Sequence, residues 1–192
     1  SDDKARRFAG IIQDESQRLT RLLDEILDLS HLESGRVNWE LQDIELQTVI
    51  DRALASTESL VNAANMRVIR KSAEAPIMVR ADFDRLAQVF INLITNAVKY
   101  GQAESPTLTI HARAVGKLAL IGFADNGPGI DEANHERVFE KFARLSAASL
   151  AGSAGLGLPI SREIMRNLKG DLTLQANAPG AVFRVSLPLS TA

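Results

Sequence analysis

The stretch DFDRLAQVFINLITNAVKY, residues 82–100, reads as an amphipathic helix whose polar face is out of the ordinary. Leu86, Val89, Phe90, Leu93, Ile94 and Ala97 recur at three- and four-residue steps, the signature of one buried face on a helix about five turns long. Asp82 can cap its start, and Gly101 can end it. Asn92 and Asn96 lie four apart on one stripe, and Lys99 and Tyr100 follow within the next turn. Asparagine is a mediocre helix former, so two of them in a strong helix point to work for their side chains.

On the N-terminal side, Ser1 to Glu33 reads as one long helix. Ala5, Ile12, Leu19 and Ile26 are seven apart, as are Phe8, Glu15, Leu22 and Leu29, which is the seam of a coiled coil or helical bundle. Leu23 and Leu27 widen the stripe and favour a bundle. Such a face must pack on another helix, and none with this pattern follows, so an upstream helix or another chain is expected to supply it. Gly35 is the expected C-cap.

Beyond Gly35, short strands alternate with helices. Strands are expected at 37–46, 67–71 and 77–80, with a helix at 48–65 before the second of them. Hairpins are expected at 107–124 around Gly116 and at 171–187 around Pro179-Gly180. Between them come a glycine loop at 125–130, a short helix at 132–142, an aperiodic segment, and a helix at 156–168 stopped by Lys169-Gly170. This order predicts an α+β fold: an antiparallel or mixed sheet with helices on one face, preceded by a bundle-type helix.

The chain has 192 residues, enough for one domain and an appendage. Its 22 basic and 24 acidic residues leave a net charge of -2, which gives no support for nucleic-acid or membrane-surface binding. There is no cysteine, which excludes disulfides and cysteine metal sites. No run reaches the ~18 apolar residues of a membrane span, so a soluble piece is expected, free or as part of a larger membrane protein.

Three separated stretches share a chemical logic. The first is NLITNAVKY. In the second, Asp125-Asn126-Gly127-Pro128-Gly129-Ile130, an acceptor-only carboxylate ends an apolar strand, which suits a group with an exocyclic amine such as adenine. Gly127 and Gly129 would let the backbone approach a flat ligand. The third, Gly155-Leu156-Gly157-Leu158, opens a helix, where free N–H groups and the positive helix end make a phosphate seat.

Together these resemble the ATP-binding catalytic domain of bacterial sensor histidine kinases, of the Bergerat type shared with gyrase, heat-shock chaperone and mismatch-repair ATPases. NLITNAVKY is similar to the family's N box, DNGPGI to its first glycine box, Phe139–Phe142 to its F box and GLGLPI to its second glycine box. LLDEILDLSHLESG resembles the end of the second helix of the dimerisation and histidine-phosphotransfer hairpin. The resemblance implies a two-layer α/β sandwich, with residues 1–36 as part of that hairpin and 37–192 as the catalytic domain. It implies ATP and Mg2+ as cofactors, with Asn96 ligating the metal and Asn92 beside it near the phosphates. Lys99 would neutralise phosphate charge, Tyr100 would line the cleft and Asp125 would accept from adenine. Ile130 would border the ring, and Gly155 to Leu158 would hold the phosphates. Residues 143–154 would form a lid, with Arg144 reaching the terminal phosphate, so that Asn92, Lys99 and Arg144 make the implied catalytic set.

The implied function is transfer of the γ-phosphoryl group to a histidine on an upstream helix, for signalling to the receiver domain of a response regulator. The implied assembly is a homodimer through the hairpin, and the implied location is the cytoplasm, without nucleic-acid or direct membrane contact. Two features depart from the family. Ser153 stands where the second glycine box commonly has its first glycine, and none of His31, His111 and His135 has the phosphoacceptor context. A scaffold that responds to nucleotide through conformation, without phosphotransfer, is the alternative. Other residues have plainer readings: Trp39 as core or an interdomain wedge, Phe139 and Phe142 as helix packing no less than catalysis, Lys141 as a solvated charge, and Asp24, Glu25 and Asp28 as the wet face of the first helix.

Overall fold

The computed structural model describes residues 2–71, 73, 75–143, 154–176 and 179–190. A helix α1 (Asp2–Glu33) leads into β1 (Leu41–Glu45), α2 (Leu46–Ala63), β2 (Arg67–Lys71), β3 (Met78–Asp82) and α3 (Phe83–Tyr100). Then come β4 (Thr107–Val115), β5 (Leu118–Asp125), α4 (Gly157–Asn167), β6 (Asp171–Ala176) and β7 (Ala181–Pro188).

Five strands form one sheet in the order β2-β4-β5-β7-β6. β2 and β4 run parallel, and every other neighbouring pair is antiparallel, so the sheet is mixed but mostly antiparallel. Side chains alternate as half-buried strands require: Leu108, Ile110, Ala119, Ile121, Phe123, Val185 and Leu187 point to one face and are buried. Helices α3 and α4 cover that face, with α2 packed along α3, which gives a two-layer α/β sandwich. Phe90 of α3 meets Phe123 of β5 at 5.2 Å between ring centroids, seating the helix on the sheet's central strand.

α3 starts where the sequence directs. The Asp82 carboxylate accepts from the Arg85 N–H at 3.1 Å and from the Glu40 N–H at 3.0 Å. One buried side chain thus caps the helix and ties down the linker from α1. At the far end the Gly101 N–H donates to the Ala97 carbonyl, but its φ of -76° is not left-handed. Glycine is needed there for space, since a Cβ would lie 2.5 Å from the Ala97 oxygen and 3.1 Å from the Asp125 Cβ.

Several expectations change. Residues 37–40 are not strand; Val37 and Trp39 pack, half-buried, against the core, and pairing begins at Leu41. The two strands on either side of Pro76, whose pairing the sequence leaves open, join different sheets. β2 joins the large sheet, whereas β3 pairs with β1 in a separate two-stranded sheet. The expected helix at 132–142 is two single 3-10 turns, Glu132–Asn134 and Arg137–Phe139. Its apolar residues serve as anchors: Phe139 packs edge-on against Phe183 and under the Arg162 guanidinium, 4.5 Å from the ring centroid.

Candidate functional site

Along α3 the buried face and the asparagine face are different sides of one helix. Leu86, Phe90, Leu93 and Ile94 are at most 1% exposed, while Asn92, Thr95 and Asn96 are half-buried and line a cavity of about 900 Å³. Gly129, Ile130, the start of α4, and Ala181 and Phe183 of β7 also line it.

Asp125 ends β5 at this cavity. Its Oδ1 accepts from the Gly127 N–H at 2.9 Å and the Ala181 N–H at 3.3 Å. Among the described residues, Oδ2 has no protein donor, so it is the oxygen able to accept from a ligand. Burial raises the Asp125 pKa above the ordinary carboxylate value, and the backbone N–H bonds only partly offset that rise. A layer of glycines makes this closeness possible. A Cβ on Gly127 would lie 2.6 Å from the Gly101 Cα, and one on Gly180 would run into the Asp125 carbonyl. Gly180 also takes a φ of +99°, open to few other residues.

Asn92 Nδ2 donates to Ser161 Oγ at 2.9 Å, fastening α3 to α4 across a buried hydroxyl. The same amide's Oδ1 leaves no room at Gly157, where a Cβ would lie 2.5 Å away. The Asn96 side chain makes no hydrogen bond among the described residues, and Asn96 lines the cavity. Lys99 and Tyr100 are exposed at its rim. His135 Nε2 lies 3.1 Å from the Ile130 carbonyl, bracing the glycine loop. Gly155, at φ +73°, accepts from the Phe142 N–H at 3.1 Å, joining the two ends of the segment between them.

The cavity therefore gathers Asn92, Asn96, Lys99, Tyr100, Asp125, Gly129, Ile130, Gly155, Gly157 and Leu158 of the sequence-predicted set. Gly127 and Leu156 do not line it. Gly127 is spent on packing against Gly101, and the Leu156 side chain is 1% exposed in the core, so its part in ligand binding is confined to its backbone. Arg144, Ser153 and the expected lid lie outside the described residues, apart from its ends at Ala143 and Ala154.

What the sequence did not disclose is the share taken by the first helix. Arg21 and Glu25 of α1 and Arg52 of α2 also line the cavity. Asp28 accepts from Arg85 Nη1 at 2.7 and 2.9 Å and from Gln88 Nε2 at 3.1 Å, and Glu33 pairs with Lys141 at 2.7 Å. Leu29 and Leu32 are buried between these contacts. Glu25 and Asp28 are thus not a wet face, whereas Asp24 is exposed, and Lys141 is a solvated charge as expected, half-exposed while paired with Glu33. Burial raises the Glu25 pKa, with Lys99 and Arg21 pulling it the other way. No spacing rule within α1 marks these residues, because their partners lie far along the chain.

No group of three or more acidic or histidine side chains suited to a metal ion occurs among the described residues. A divalent ion here would take a neutral amide oxygen such as that of Asn96 and draw its remaining oxygens from a bound ligand and water, which fits a hard, strongly hydrated cation.

Residues 81–191 match the family model described as histidine kinase-, DNA gyrase B-, and HSP90-like ATPase. The chain is 33% identical over 189 residues to the sensor protein KdpD of Escherichia coli, covering 97% of this chain and 20% of that protein. It is 33% identical over 183 residues to the sensor histidine kinase TrcS of Mycobacterium tuberculosis, covering 93% of this chain and 35% of that one. Among solved structures, the histidine kinase ThkA in complex with the response regulator protein TrrA superposes with a TM-score of 0.75 at 25% identity, covering 94% of this chain and 50% of that one. The chain thus spans a fifth to about a third of the length of these two curated relatives.

Proposed function

The chain belongs to the histidine kinase-, DNA gyrase B- and HSP90-like ATPases, as an ATP-binding catalytic domain of the sensor histidine kinase kind, and from that premise we propose that it binds Mg-ATP in the α3–α4 cavity and transfers the γ-phosphoryl group to a histidine on a helix outside these residues. Asp125 carries this reading. A carboxylate held through one oxygen by two backbone N–H groups, on a residue that lines the cavity, is an acceptor set for an amino group such as that of adenine.

In the proposed complex Asp125, Ile130, Ala181 and Phe183 would receive the adenine, and Asn92, Asn96 and Lys99 would serve the phosphates. Asn96 would hold Mg2+, which would supply charge neutralisation on the phosphate oxygens. Lys99 adds a cation at the rim, and the N-terminal turn of α4 at Gly157 and Leu158 offers free N–H groups to phosphate. Asn92 keeps α3 and α4 in register through Ser161. Arg144 is assigned to the terminal phosphate. The protein's contribution to phosphoryl transfer is position and charge, with the acceptor imidazole nitrogen gaining the phosphorus as the bond to ADP breaks.

None of the chain's own histidines suits the acceptor role. His111 lies on the sheet face away from the cavity, His135 is bonded to Ile130, and His31 is at the last turn of α1. We assign residues 1–36 to the dimerisation hairpin and 37–192 to the catalytic domain. The exposed seam of α1 is assigned to a homodimeric bundle, and a response regulator receiver is the phosphoryl destination. No helix among the described residues is long and apolar enough to cross a membrane, and the proposed place of work is the cytoplasm, where ATP is found.

The test is to incubate γ-labelled ATP with this chain and with a version extended by its upstream helix. Acid-labile, base-stable label on the longer chain alone is the expected result. Nucleotide binding without label on either chain would replace the kinase with a conformational scaffold.

A further inference from the structure

The face of the large sheet turned away from α3 and α4 has a charge pattern that the cavity does not use. Cross-strand register places Lys71, His111, Gly122, Arg184 and Thr173 in one row from edge to edge, with Arg113 two residues along β4 from His111 and Arg67 four before Lys71 on β2. The His111 ring lies across β5 in the space left by Gly122, where a Cβ would collide with it. The cations on the other side of the sheet are matched: Arg70 pairs with Asp51 at 2.6 Å, and Arg162 with Glu136 at 2.7 Å and Asp171 at 3.2 Å. Among the described residues, Arg67, Lys71, Arg113 and Arg184 have no carboxylate partner. The acid on these outward positions, Asp171, is taken by Arg162 and Arg166 from the edge.

Like charges placed abreast on a sheet disfavour the fold, and this chain is net acidic, so the clustering is a segregation of charge rather than a general basicity. We propose that this sheet face is a docking surface for an acidic protein, whose carboxylates pair with Lys71, Arg113 and Arg184 while Thr109 and Thr173 hydrogen-bond between them. Lys71 and Arg184 are three strand spacings apart, roughly 14 Å, about the length of a nine-residue helix. A carboxylate-bearing helix laid across the strands therefore reaches the whole row. A bilayer is the poorer fit, because the exposed apolar residues, Val115 and Leu118, sit at one hairpin end while the cations spread across a twisted face. His111 reports on the surface. Burial, then Arg113, Lys71 and Arg184, hold its pKa below the ordinary imidazole value, and incoming carboxylates would raise it.

The inference does not depend on the nucleotide reading, since the two faces are opposite. It is tested with the isotope-labelled chain, saturated with Mg-ATP, titrated with a glutamate-rich helical peptide and followed by NMR. The expected result is shift changes centred on Thr109, His111, Gly122 and Arg184, with a raised His111 pKa. Lys71→Gln/Arg113→Gln/Arg184→Gln should weaken the peptide about tenfold, with circular dichroism and ATP affinity unchanged. If the triple variant does not fold, Arg113→Glu alone must weaken binding while Lys117→Glu at the hairpin turn does so less. Shifts confined to the nucleotide cavity, or an unchanged affinity in the charge variants, would overturn the proposal. So would phosphatidylserine vesicles or single-stranded DNA binding this face more tightly than the peptide does.

Discussion

Helices α1 and α3 carry the same kind of apolar stripe and meet opposite fates. In α3, Leu86, Val89, Phe90 and Ile94 are 0% exposed. In α1, Phe8 is 64%, Ile12 66% and Leu19 57% exposed, and burial begins only at Leu29 and Leu32. Periodicity states that a face must be covered, not what covers it. The sheet covers α3 within this chain. The upper part of α1 has no cover among the described residues, and its lower part is held by pairs of charges and two leucines.

The largest effect should separate the two stripes. Phe90→Ala, which empties the contact with Phe123, should lower unfolding free energy by about 3–5 kcal/mol in urea titrations. Phe8→Ala should change it by less than about 0.5 kcal/mol, as expected of a side chain already in solvent. A large effect at Phe8 would mean that the seam is covered in solution, by a second copy of the chain.

Next in size is the polar side of α3's neighbourhood. Asp125→Asn should weaken ATP binding by about 1.5–3 kcal/mol in calorimetry, the scale of a hydrogen bond to a charged group, without loss of fold stability. Because the folded-state pKa of Asp125 is raised, the folded protein holds this proton more tightly than the unfolded chain does. Its ionisation therefore subtracts stability as pH rises from the ordinary carboxylate value through the raised one, and Asp125→Asn removes that loss. ATP affinity should correspondingly begin to fall, on acidification, at a higher pH than an unperturbed aspartate would give. An affinity flat across that window would remove Asp125 from the site.

Smaller still is the grip of the body on α1. A double-mutant cycle with Asp28→Asn and Arg85→Gln should give a coupling of about 1 kcal/mol, since both side chains are about a quarter exposed. The same cycle on Glu33 and Lys141, each about half exposed, should give about 0–0.5 kcal/mol. Equal couplings at both pairs would contradict a grip centred on the middle of the helix's lower half.

Much of the fold was legible because its signals are local. The three-four spacing of α3, its Asp82 cap, Gly116 in a tight turn and the apolar run of β5 each act within a few residues of themselves. Much of the cavity was legible for the same reason, because asparagines in a good helix and glycines after a buried strand are locally unfavourable choices. Residues 37–40 and 132–142 departed locally from the expected strand and helix, and the other misses were pairings. β2 and β3 are sequence neighbours that went to different sheets, Ser161 is an ordinary helix residue until Asn92 meets it, and the Pro179-Gly180 turn becomes part of the site only when Gly180 presses on Asp125.

By itself the sequence determined which faces are apolar, where α3 begins and ends, and which stretches share a family. Only the tertiary structure decided that the lower half of α1 lies along the cavity with Arg21 and Glu25 in its wall, and that the unmatched cations gather on one side of the sheet. Helix and strand periodicity is set by backbone geometry over a few residues, whereas an ion pair between Asp28 and Arg85 exists only once the chain between them has folded.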